Sequence, residues 1–158
     1  MAVTAAMVKE LRETTGAGMM DCKKALAATD GDMEKAVEYK KKKGLAGAAK
    51  KAGRIAAEGS VDTAMSADEK TAVVVEVNAE TDFVAKNAKF QAYVADVAAQ
   101  ALASSAADMD SFMAEKWAKD ETLTVKEALS SQISIIGENM NIRRFEKVTE
   151  ENGFVASY

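Results

Sequence analysis

Residues 71–78, TAVVVEVN, put valines at 73, 75 and 77 on one side of an extended chain, with Ala72, Val74 and Glu76 on the other. This period of two constrains the fold more than any other feature, because a strand with one apolar face needs neighbouring strands and a covering layer. The run Ala57 to Met65 alternates more loosely, and Ser66–Lys70 between the two reads as a hairpin loop. Past the polar corner that ends the valine run, Phe90, Val94, Val97 and Ala101 fall at helical spacing and predict an amphipathic helix over 85–103. Thr124-Val125-Lys126-Glu127 has the capping-box pattern, and Val125, Leu129, Ile133 and Ile136 continue one stripe that Gly137 ends. Met140 to Val148, with NIRRFEKV, reads as a third strand. The polar stretch around Trp117 has no pattern that assigns it an element. Strands, helices and a returning strand indicate an α+β unit over 55–158.

The first 54 residues show no such alternation. Thr4 is placed to cap a helix with Met7, Val8 and Leu11 on one face, stopped by Gly16-Ala17-Gly18. A second helix starts near Met19 and runs through Cys22, Ala25 and Leu26 to Asp30-Gly31-Asp32. Asp32 caps a third, with Met33, Ala36, Val37 and Lys40 along one side. Lys40 to Lys43 suit the C-terminal end of that helix, and glycines 44, 47 and 53 then predict a flexible linker. The expected boundary is residue 54. At 158 residues the chain has room for such a small helical domain and a compact second unit. Charge divides the same way: residues 1–54 carry 12 Lys/Arg against 7 Asp/Glu, a net +5, while 55–158 carry 9 against 18, a net −9.

Composition narrows the chemistry. There is no histidine, so histidine-based catalysis and metal ligation are excluded. A lone Cys22 forms no internal disulfide, and neither a CxxC pair nor a glycine-rich phosphate loop is present. No apolar run approaches the ~20 residues of a membrane span, so the cytoplasm is the expected location and no membrane partner is expected. Neither a catalytic residue, a bound metal nor a cofactor is expected. Glu80 and Asp82, two residues apart across a turn, do not make a catalytic pair.

Three stretches stand out as candidate surfaces. Lys40–Lys43, Lys50, Lys51 and Arg54 are dense enough to meet phosphates, but no aromatic alternates with them and the whole chain is acidic, so a solvated helix end is the reading and no direct nucleic-acid binding is expected. Met19 and Met20 are adjacent on a helix, about 100° apart, and cannot both face one small core. At Asp82-Phe83 the ring either tucks beneath a new helix or projects as a wedge.

The stretches LRETTGAGMMDCKKAL and EVNAETDFVAKN, in this order, with IIGENMNIRRF following, resemble the signature segments of the translation elongation factor Ts family. The resemblance covers essentially the whole chain. It implies a small three-helix ubiquitin-associated-like domain at 1–54, then at 55–158 the N-terminal core subdomain, a short antiparallel sheet packed by helices. It implies guanine-nucleotide exchange on elongation factor Tu without covalent chemistry. Thr81, Asp82, Phe83 and Val84 match the segment that intrudes into the GTPase domain and displaces Mg²⁺ there. Ile136 and Gly137 match residues beside that wedge, and Arg12, Met19 and Met20 match positions that grip the GTPase domain. Two departures are visible. Ala79 stands where the family usually has Cys, Ser or Val, a position expected to pack beneath the turn. Members also continue past residue 158 into a second core half, so the chain reads as a fragment or an unusually short member. Two other readings compete: a peptide- or ubiquitin-type interaction module, and an RNA-binding accessory using the lysines.

Overall fold

In the computed structural model, which describes residues 2–158, the chain divides into two compact units. One comprises the residues up to Ala52 together with Ser130–Gly137; the other comprises Gly53–Leu129 and Glu138–Tyr158. The class is α+β.

The first unit contains α1 (Ala5–Thr15), α2 (Met19–Ala28) and α3 (Met33–Lys51). Thr4 caps α1, its hydroxyl accepting from the Met7 N–H at 3.3 Å. Gly16 closes α1 at φ 64°, a left-handed conformation that costs a glycine nothing, and its N–H reaches the Arg12 carbonyl at 2.8 Å. Asp32 caps α3 by accepting the Lys35 N–H at 3.0 Å, and that bond holds its carboxyl below the usual range. Val8, Leu11, Cys22, Ala25, Leu26 and Ala36 form the buried core, edged by Val3, Met7, Ala17, Met33 and Val37.

The expected linker at 44–53 is largely helix instead. The third helix, expected to end at Lys40 to Lys43, has 19 residues, running through Gly44 and Gly47 to Lys51. Leu45, Ala46, Ala48 and Ala49 are good helix formers and outweigh the two glycines. Gly44 also lies against the 130–137 segment: a Cβ built there would be 3.7 Å from Ser134 Oγ. Tertiary packing has overridden a local linker signal.

The second unit holds β1 (Glu58–Met65), β2 (Thr71–Ala79), α4 (Asp82–Ala85), α5 (Ala88–Ala103), α6 (Met109–Ala114), β3 (Lys116–Trp117), β4 (Asp120–Thr124), the start of α7 (Val125–Ile136) and β5 (Met140–Thr149). The sheet order is β1-β2-β5, with both pairings antiparallel and β2 central. Val73, Val75, Val77 and Ala79 are buried on one face, and α5 contributes Phe90, Tyr93, Val94, Val97, Ala98 and Ala101 to the core. Gly59 is the close approach between β1 and β2: at φ 149°, a Cβ there would sit 2.2 Å from the Val77 carbonyl oxygen. Lys147 of β5 donates to the Leu102 and Ser104 carbonyls at 2.9 and 2.5 Å, a cation satisfying the C-terminal end of α5.

Between Glu76 and Val77 the register with β5 shifts, and Arg143 is the unpaired residue. Neighbouring strand residues ordinarily face opposite ways, yet Arg143 and Arg144 both reach Glu76, at 3.2 and 2.8 Å. The bulge re-aims one of them. The Arg144 hydrogen bond, then those of Asn78 and Arg143, hold the Glu76 carboxyl low.

Two further differences from the sequence reading are local. The helix expected over 85–103 begins at Ala88, because Asn87 is extended and accepts the Lys89 N–H at 2.9 Å, capping α5 and leaving the preceding turn at 82–85 as the separate α4. The unassigned stretch around Trp117 forms α6 and the β3–β4 hairpin, with the Trp117 ring 5.8 Å from Tyr93. The capping box at 124–127 is present in full. Thr124 N–H donates to Glu127 Oε2 at 2.8 Å and Glu127 N–H to Thr124 Oγ1 at 3.2 Å.

Candidate functional site

β2 delivers the chain to the corner at Glu80 and Thr81, and Ala79, the last strand residue, is fully buried. Thr81 is extended, at φ −126° and ψ 153°, and its hydroxyl oxygen accepts the Val84 N–H at 3.3 Å, capping α4. Phe83 is the second residue of that helix. Its ring projects: 86% of the residue is exposed, while Phe90, seven residues on, is fully buried.

Asp82 lies in the first turn of α4, and its carboxylate accepts from Lys86 Nζ at 2.8 Å. The Lys86 hydrogen bond, reinforced by its charge, holds the Asp82 carboxyl below the usual range, and Asp82 in turn raises the Lys86 ammonium. Asp82 is thus an exposed anion already paired with one cation.

The corner is tied down by residues that the sequence reading did not single out. Glu138 Oε2 accepts the backbone N–H groups of Glu80 and Thr81, each at 3.1 Å, and Glu138 Oε1 accepts the Thr81 hydroxyl at 2.7 Å. In the opposite direction, Glu80 Oε1 accepts the Asn139 N–H at 2.6 Å and faces Arg54 at 3.5 Å. Asn139 is buried, and its side-chain N–H donates to the Arg54 carbonyl at 2.7 Å. Three segments far apart in sequence meet here. The available signal was the polar pair Glu138-Asn139 between a helix-ending glycine and a strand, but nothing in a spacing of 58 residues identifies its partner.

The remaining site residues expected from sequence belong to the first unit. Met19 and Met20 open α2 and are 60% and 66% exposed, so neither is a core residue. Arg12 is exposed on α1, where Leu11 beside it is buried. Ile136 is half-buried at the end of α7, and Gly137, at φ 87°, directly precedes Glu138. Thr81, Asp82, Phe83 and Val84 are therefore brought together in one unit, and Arg12, Met19, Met20, Ile136 and Gly137 in the other. Among the described residues, no group of three or more His, Cys, Asp or Glu side chains is arranged to hold a metal, and no helix is long and apolar enough to cross a membrane.

The corner and everything after it, residues 80–158, match the protein-family model described as Elongation factor TS. Elongation factor Ts of Clostridium novyi (strain NT) is 61% identical over 156 residues, covering 99% of this chain and 51% of that protein. The protein of the same name from Hydrogenovibrio crunogenus (strain DSM 25203 / XCL-2) is 58% identical over 158 residues, covering 100% of this chain and 53% of the relative. That from Clostridium tetani (strain Massachusetts / E88) is 57% identical over 156 residues, again covering 99% and 51%. The chain spans about half the length of these curated relatives. With half of its residues matched by the family model and nearly all of them aligned to such relatives, the chain belongs to the elongation factor Ts family.

Proposed function

We propose that the chain acts in translation elongation as a guanine-nucleotide exchange factor for elongation factor Tu, by inserting Asp82 and Phe83 near the Mg²⁺ site of that GTPase. The supporting observation is the exposed Phe83 ring on a capped, tethered corner. Burying such a ring in a partner contributes about 1.5–3 kcal/mol, and a rigid corner loses little entropy when it docks. Thr81 and Val84 frame the wedge. Arg12, Met19 and Met20 provide a second contact, flexible thioethers suiting an adaptable surface, and Ile136 and Gly137, which match family positions beside the wedge, also bind the partner.

The mechanism is linkage. GDP and Mg²⁺ favour one arrangement of the GTPase and the wedge favours another, so each weakens the other's binding by the same factor. Every ~1.4 kcal/mol of wedge contact used this way is about tenfold in nucleotide affinity. In this reading no side chain acts as acid, base or nucleophile. No cofactor, membrane or nucleic acid takes part, and the setting is the cytoplasm.

The test is stopped-flow release of fluorescent GDP from elongation factor Tu, with a thermal melt of each variant. Phe83→Ala is expected to slow release by about an order of magnitude or more, equivalent to at least ~1.4 kcal/mol of lost wedge contact, with its melting temperature nearly unchanged. Asp82→Ala acts in the same direction, and by less once a chelator has removed Mg²⁺. A Phe83→Ala chain that accelerates release at the parental rate sinks the wedge.

A further inference from the structure

We infer that Glu138 is the positioning residue of the Phe83 corner: its carboxylate fixes the Thr81 hydroxyl and both backbone N–H groups of the turn, and through them sets the direction in which the ring leaves the sheet. The inference rests on the exchange reading of Phe83 and adds the group that holds the ring ready.

The proton inventory at Thr81 carries the argument. Its hydroxyl has one proton and two polar neighbours, the Glu138 carboxylate at 2.7 Å and the Val84 N–H at 3.3 Å. An ionised carboxylate only accepts and an N–H only donates, so the proton goes to Glu138 and a lone pair is left for Val84. Glu138 thereby fixes the hydroxyl rotor that caps α4. That helix is four residues long, too short to be stable alone, and has no fully buried residue, although Val84 and Ala85 are half-buried where it rests against β1 and β2. The hydroxyl that caps it is oriented by a residue 57 positions further along the chain. A second strap runs the other way, from the Asn139 N–H to Glu80, with Arg54 joined to both. Each segment thus supplies a carboxylate to the other's backbone.

One consequence separates this role from ordinary helix capping. Aspartate caps a helix as well as threonine does in general, but ionised it has no proton to give and would set a second negative charge against Glu138. Serine keeps both the donor and the acceptor.

The experiment uses the whole chain with Glu138→Ala, Glu138→Gln, Thr81→Ser, Thr81→Asp, Phe83→Ala and the double variant of Glu138→Ala with Phe83→Ala. Backbone amide exchange at residues 81–86 is measured beside titrated GDP release from elongation factor Tu. Glu138→Ala is expected to lose protection at 81–86 and to lower the maximal release rate about tenfold, while the half-saturating concentration moves less than about twofold, the split expected when a contact formed during exchange is misaimed. Thr81→Ser retains the protection at 81–86 that Thr81→Asp loses. Added to Phe83→Ala, Glu138→Ala brings no further loss of release, because the two act through one ring. Should Glu138→Ala fail to fold, Glu138→Gln, which keeps one acceptor oxygen, shows the same pattern at smaller size. Unchanged protection at 81–86, a parental maximal rate, or a loss confined to half-saturation overturns the inference. If Phe83→Ala alone leaves release unchanged, the exchange reading is what fails, and amide exchange still judges the corner.

Discussion

At position 83 a phenyl ring meets water over most of its surface, while at position 90 the same side chain is enclosed by the sheet unit. Truncating each asks a different question. Phe90→Ala removes a buried ring and leaves a cavity, so a loss of about 3–5 kcal/mol in urea unfolding is expected, whereas Phe83→Ala is expected to stay near the parental value. Equal losses in the two variants would place Phe83 in the core. The residue pattern alone left Phe83 open between tucked and projecting, with only the family resemblance favouring the wedge, and the reason is physical. A four-residue helix shows too little of its period to reveal which way a side chain points, and the break at Asn87 depends on a cap that resembles any other asparagine in a polar stretch. The methionines were readable because two adjacent helical residues diverge by geometry alone. Glu138 was not, since its role exists only once strands β2 and β5 are paired.

Elements whose signals are local were legible in advance. The valine alternation, the hairpin at 66–70, the capping box at 124–127 and the returning strand all depend on residues within a few positions of one another. The bulge was not legible, because adjacent arginines on a strand ordinarily face opposite ways and only the register shift shows why both reach Glu76. The glycines of α3 misled, because glycine signals a preference for flexibility that packing and good helix-forming neighbours can overrule. Gly47 tests this directly. It lies in the helix interior, and beyond its chain neighbours and the helix's own backbone nothing comes within 4 Å of where a Cβ would be. Gly47→Ala should therefore raise stability by about 0.5–1 kcal/mol, through lower unfolded-chain entropy and better helix propensity. A flexible linker at this position would instead leave the unfolding midpoint where it is.

On the scale of the whole molecule, chain order and compact units do not coincide. The sequence suggests a helical domain that ends at residue 54, yet residues 130–137 group with those helices, and a Cβ built at Gly16 would lie 3.5 Å from Ile135 Cδ1. The core of α1, α2 and α3 is small and built largely from alanine, cysteine and a few larger side chains, so an added segment matters to it. Ile135, the residue beside Gly16, is 43% exposed, and burying about half of an isoleucine contributes about 1 kcal/mol. In a domain of this size each 1 kcal/mol moves the melting temperature by about 4–8 °C. A peptide of residues 1–54 is therefore expected to melt at least several degrees below the same helices in the whole chain, the latter followed through amide exchange at Leu11 and Leu26. Adding a peptide of residues 125–137 should recover part of the difference at high concentration, because the segment then binds the folded state alone. A 1–54 peptide that matches the whole chain, with no response to the added segment, would show that the three helices are complete without it.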